Sequence, residues 1–173
     1  RSVLARDPGE VSALAFGGVI AVRDMARYKE GYRMLRRVFA GRDAGLKPAV
    51  RITGLRYLIL ASVRIQPPDA AMAIAASRKL LRLLPEDPEA LSNLSILYGA
   101  TRRYMEQAAV LEQLVRVSSG RPDYRLQLAL AREKGNSRAP AIAAYRELVL
   151  FLEKIPDAEY AKKYGPFMKG FTR

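Results

Sequence analysis

A recurrence every 34 residues constrains this chain more than any other feature. Leu60, Leu94 and Leu128 stand at that spacing, each followed by a small residue, Ala61, Ser95 and Ala129. Leu80, Leu114 and Leu148 make a second column. Pro88 matches Pro122 one period on, and Ala73 and Ile74 match Ala141 and Ile142 two periods on. A fixed period of this length marks stacked supersecondary units, each too small to bury its own apolar face, so that neighbours must share a continuous core.

Each unit reads as two helices. In the clearest one, Pro88 stands in a first turn, where its missing N–H is not needed. Leu91, Leu94 and Leu97 or Tyr98 then form an apolar stripe with steps of three and four. A polar break over residues 99–103 separates it from a second helix opened by Tyr104 and carrying Ala108, Leu111, Leu114 and Val115. "SSGR" at residues 118–121 ends that helix before Pro122 starts the next unit. Small residues such as Ser95 and Ala108 let two helix axes approach where their ridges cross. Acidic Glu86, Asp87 and Glu89 suit a helix N-terminus, where negative charge complements the macrodipole. Towards the N-terminus the pattern fits with one extra residue before Tyr28, and Gly17 and Gly18 fall at the expected close crossing. Residues 40–53 form a longer connection that resets the phase, and Pro67–Pro68 shortens or kinks the turn of the second unit.

The run "PEALSNLSILYGATRRYMEQAAVLEQLVRV" resembles the tetratricopeptide repeat, a 34-residue helical pair. Leu91, Asn93, Leu94, Ser95, Tyr98, Tyr104, Leu111 and Leu114 fall at its signature positions. Tyr57, Leu60, Ala61, Ala73, Leu80 and Pro85 do so in the preceding unit, and Leu128, Ala129, Ala141, Ile142, Tyr145 and Leu148 in the following one. Gln107, Arg125 and Ser77 depart from the pattern. The resemblance implies an all-α right-handed superhelix of antiparallel helix pairs in a single domain. Its units would be 11–39, 48–85, 88–119 and 122–155, with a capping helix and tail over 157–173. It also implies a concave groove lined by first helices: Leu55, Leu58 and Ser62, then Glu89, Ser92, Asn93 and Ile96, then Asp123, Leu126 and Leu130. Chaperone-binding relatives clamp a peptide carboxylate with lysines, arginines and asparagines; only Asn93 matches such a clamp, which argues against that subclass.

Composition narrows the chemistry. The chain has neither cysteine nor histidine, which excludes disulfides, thiolate or imidazole metal sites, cysteine nucleophiles and histidine-based triads. The glycines follow no phosphate-loop or dinucleotide spacing, so neither a cofactor nor a metal is expected, and no catalytic centre is visible. Asn93–Leu94–Ser95 matches a glycosylation acceptor but lies inside an expected helix. The longest apolar run, "YLILASV", falls far short of the roughly 18–20 residues of a membrane span. The opening "RSVLARDP" reads as the end of a helix, so a longer protein with a membrane tether is an expectation; the cytoplasmic side of an inner membrane is the expected compartment, with the periplasm as the alternative.

The net charge is +13, from 30 basic against 17 acidic residues, which favours acidic partners. Arg27, Lys29, Arg33, Arg36 and Arg37 form the densest basic cluster, and Arg78, Lys79 and Arg82 a second. Both fall on second helices, outside the groove. The expected function is a non-enzymatic scaffold that binds a peptide or partner protein. The Ala/Arg/Leu-rich composition points to a bacterial assembly, of which membrane-tethered secretion or polysaccharide-export machines are examples. The alternative is nucleic-acid binding on the basic convex face, though no nucleic-acid motif supports it.

Overall fold

Proline opens four of the helices. Pro8, Pro48, Pro88 and Pro122 each stand first in one, where the ring fixes φ near its helical value and no hydrogen bond is lost. The structure, a computed structural model, describes residues 8–41 and 43–154. Its helices are α1 (Pro8–Arg23), α2 (Tyr28–Phe39), α3 (Pro48–Arg64), α4 (Ala70–Leu83), α5 (Pro88–Ala100), α6 (Tyr104–Val117), α7 (Pro122–Lys134) and α8 (Arg138–Leu152), with a 3-10 turn at Asp43–Gly45. Among the described residues there is no strand, and no helix is long and apolar enough to cross a membrane. The fold is an all-α helical repeat. The expected capping helix over 157–173 lies outside the described residues.

Side chains and turns set the helix boundaries. Asp69 caps α4 by accepting from the Met72 amide at 2.8 Å, and Asp87 caps α5 by accepting from Ala90 at 2.9 Å. Ala26, Arg102 and Asn136 hold left-handed backbone, at φ 50°, 58° and 59°, in the turns that follow α1, α5 and α7. Arg102 and Asn136 stand one 34-residue period apart, so the turn geometry belongs to the repeat.

The chain folds as two compact units, Arg1–Thr101 and Arg102–Arg173. In the first, α1 packs on α2 and α3, α2 on α3, α3 on α4, and α4 on α5. Its core gathers Ala15, Val19, Leu35, Phe39, Leu55, Leu58 and Leu80. In the second, α7 packs between α6 and α8. Leu111, Leu114, Leu128, Ala129 and Ala144 are buried there.

One column of the repeat is corrected by burial. Leu94 and Leu128 are 3% and 5% exposed, but Leu60 is 37% exposed and does not share their environment. The buried residues of α3 match those of α5 at a spacing of 33: Leu58 with Leu91, Ala61 with Leu94, Ser62 with Ser95. Ser77 and Leu80 of α4 still match the buried Leu111 and Leu114 at 34. The buried columns of α3 and α4 are thus one residue closer along the chain than those of α5 and α6, although the α3–α4 loop itself, residues 65–69, is longer than residues 101–103 between α5 and α6. α3 is therefore offset by one position from the 34-residue lattice, and a one-residue shift rotates every side chain of a helix by about 100°.

Candidate functional site

The shifted register brings a different set of residues to the surface of α3. Leu55, Leu58 and Ser62, which the 34-residue spacing places in a groove, are buried. Leu55 and Leu58 belong to the core shared by α1–α4, and the Ser62 hydroxyl donates back to the Leu58 carbonyl at 2.7 Å. The outward positions are Arg56, Leu60 and Val63, each 33 residues before Glu89, Asn93 and Ile96 of α5. These six residues line one cleft of about 520 Å³ between α3 and α5. Its deeper wall is Ile59, Leu80, Ala90 and Leu97, all buried.

The cleft mouth is mostly apolar, with Arg64 and Asn93 as exposed polar groups beside it. Val63 and Ile96 are 45% and 61% exposed, and together with Leu60 they present aliphatic surface to solvent from both walls. The end near the start of α5 is charged. The Arg56 guanidinium forks, one nitrogen donating to Asp87 and the other to Glu89. Asp87 therefore has two tasks, capping α5 and tying that helix to α3. A planar guanidinium engaging two carboxylates holds its geometry better than a lysine would. The result is a cleft whose apolar walls are held open at one end by an ion-paired bridge.

Other predicted groove residues fall elsewhere. Ser92 is half-buried on α5 and does not line the cleft. Asp123, Leu126 and Leu130 are half-buried on α7, in the second unit, and Asp123 is bound by Arg121 at 2.7 Å. Arg56, Leu60 and Val63 were missed as groove residues. The signal that finds them is the pair of serines, Ser62 and Ser95, which stand 33 and not 34 residues apart. Phe16 of α1 is exposed as well, and it stands two residues before Gly18, as Leu60 does before Ser62 and Asn93 before Ser95.

The two basic clusters of α2 and α4 lie away from the cleft, which Arg56 and Arg64 of α3 line. Lys29, Arg33, Arg36 and Arg37 are exposed on α2, and Arg78 and Arg82 on α4. Lys79 is the exception: half-buried, its ammonium donates to the Phe39 carbonyl at 2.7 Å and to Asp43 at 3.2 Å. Near the other end of α2, the Tyr32 hydroxyl donates to Asp69 at 2.6 Å. That bond, with the Met72 amide, holds the Asp69 carboxyl below the usual aspartate range, while burial and the same bond push the Tyr32 hydroxyl up. Among the described residues no cluster of acidic side chains is arranged to hold a metal ion.

Comparison with known proteins places this geometry. No protein-family model matches the chain. Cellulose synthase operon protein C of Pseudomonas fluorescens (strain SBW25) is 28% identical over 123 residues, covering 71% of this chain and 10% of that protein. The chain thus spans about a tenth of the length of this curated relative. Among solved structures, a double mutant of MamA RS-1 superposes with a TM-score of 0.58 at 18% identity, covering 84% of this chain and 77% of that one. MamA from residue 41 onward, from Desulfovibrio magneticus RS-1, gives 0.55 at 12% identity over 84% and 75%. The fold is that of a tetratricopeptide-like helical repeat. In tetratricopeptide terms, Arg56, Leu60 and Val63 of one first helix and Glu89, Asn93 and Ile96 of the next occupy equivalent positions of successive units.

Proposed function

We propose that this chain is a non-enzymatic interaction scaffold and that the cleft between α3 and α5 receives an apolar segment of a partner protein. The observation that carries this reading is the placement of Leu60, Val63 and Ile96. Three aliphatic side chains sit exposed around a concave floor instead of joining the adjacent core. Covering them by a partner removes apolar area from water, the dominant favourable term in association. The Arg56–Glu89 bridge and Asn93 supply polar groups that orient a bound segment. The relative named for the cellulose synthase operon supports placing this chain within a bacterial polysaccharide-producing or exporting assembly.

The test is the double variant Leu60→Glu/Ile96→Glu set beside Leu58→Glu. The first places charge only on exposed positions, so far-ultraviolet circular dichroism should match wild type while partner capture is lost. The second buries a carboxylate in the core and should unfold the first unit, because an unpaired charge in an apolar interior costs about 5 kcal/mol, a large part of a domain's stability. Unchanged capture by a folded Leu60→Glu/Ile96→Glu variant would remove the cleft from the account.

A further inference from the structure

A second surface lies on α2 and α4, and it carries charge where the cleft carries aliphatic groups. Side-chain bridges join the two helices near both ends. Tyr32, early in α2, reaches Asp69 at the start of α4, and Lys79, late in α4, reaches the carbonyl of Phe39 at the end of α2. The two helices therefore run side by side in the same direction. On α2, Lys29, Arg33 and Arg37 follow one another at four-residue steps, all exposed. On α4 the exposed row is Ala71, Ala75, Arg78 and Arg82. Residues four apart on a helix are neighbours along one face, with about 6 Å between them. Two parallel rows of cations thus repeat at roughly one helical turn.

The carboxylates of this region are already engaged. Asp69 takes the Tyr32 hydroxyl and the Met72 amide, Asp43 takes Lys79 and Arg51, and Glu30 pairs with Arg27. Lys29, Arg33, Arg37, Arg78 and Arg82 have no ion-pair partner among the described residues.

We propose that the outer face of α2 and α4 docks an acidic protein segment, a helix with carboxylates on one side at one-turn spacing. Guanidinium groups take carboxylates in two-pronged bonds, and the row spacing matches that of Glu or Asp four residues apart. The face offers little to the other polyanions. Its tyrosines are not free to stack on bases, Tyr32 being buried and Tyr28 half-buried, and single-stranded nucleic acids need such platforms. The exposed apolar groups in the α4 row are the methyls of Ala71 and Ala75, too small to wedge into a lipid surface. This surface is independent of the cleft and stands whether or not the cleft binds a peptide.

The experiment titrates the full chain into a fluorescein-labelled 20-residue alanine-based helical peptide with Glu at four-residue steps, reading anisotropy at low salt. Single-stranded DNA of 20 nucleotides and phosphatidylserine vesicles serve as comparators. Neutralising Arg33→Gln/Arg37→Gln/Arg78→Gln should weaken peptide binding at least about tenfold, since charge-assisted bonds to carboxylates are lost. Arg116→Gln/Arg138→Gln/Arg146→Gln removes the same net charge from exposed positions of the second unit and should change binding less than about threefold. Circular dichroism of both variants should match wild type. Equal weakening by the two variants would reduce the effect to overall charge and overturn the proposal. So would tighter binding of the DNA or the vesicles than of the peptide, or no peptide binding by wild type.

Discussion

Gly18 and Gly31 meet where α1 and α2 cross. A Cβ on Gly18 would lie 2.7 Å from Leu35 Cγ, and one on Gly31 would lie 2.3 Å from Val22 Cγ2 and 2.8 Å from the Gly18 carbonyl oxygen. The second clash is with backbone, which no rotamer change relieves. Gly31→Ala should therefore destabilise the first unit by about 1–3 kcal/mol, the range of overpacked cores, seen as a lower urea midpoint with an unchanged slope. A neutral effect would mean that α1 and α2 do not cross this closely. Gly18 was legible in the sequence as a crossing residue because small residues recur at that point of each unit. Gly31 was not, because its partner, Val22, lies on the other helix of the pair and at no repeating distance.

At the scale of elements, what was legible was the alternation of first and second helices, since proline starts and small crossing residues mark it locally. The register of α3 was not. A one-residue offset of α3 from the 34-residue lattice leaves every local signal intact, yet it turns Leu58 inward and Leu60 outward. The loop that follows α3 leads into Asp69, whose bonds join α4 to α2. Because its folded-state pKa is lowered, first by the Tyr32 hydroxyl, Asp69 contributes stability that is present above the ordinary aspartate value of about 3.9 and lost as pH falls through the lowered one. Tyr32→Phe keeps the ring but deletes the bond. Its cost should be about 1 kcal/mol at neutral pH and shrink as the medium is made more acidic than that aspartate value, measured by urea unfolding across the range. An equal cost at both ends would assign the effect to packing. On the alkaline side, burial and the Glu133 carboxylate push the Tyr145 hydroxyl up to about 12. Its contribution is complete below the ordinary tyrosine value of about 10 and fades as pH rises through the raised one.

For the whole molecule the dominant quantity is charge. With a net charge of +13 the folded chain repels itself, and salt screens that repulsion. Raising sodium chloride from about 10 to 200 mM should therefore raise Tm, an increase that Arg33→Gln/Arg37→Gln/Arg78→Gln diminishes. A fall in Tm over that range would show that ion pairs such as Arg56 with Asp87 and Arg132 with Glu112 outweigh the repulsion. The two cationic rows and the cleft also lie on different helices of the first unit, the rows on α2 and α4 and the exposed cleft walls on α3 and α5.

The period, the all-α class and the alternation of helices follow from the sequence alone, because each depends on spacing along the chain and on the local chemistry of proline, glycine and small side chains. Which face of each helix reaches solvent was decided only in three dimensions. Leu58 and Leu60 are the same residue type two positions apart, and nothing local distinguishes them. Packing of α3 against α1, α2 and α4 does, burying the first and leaving the second at the rim of the cleft.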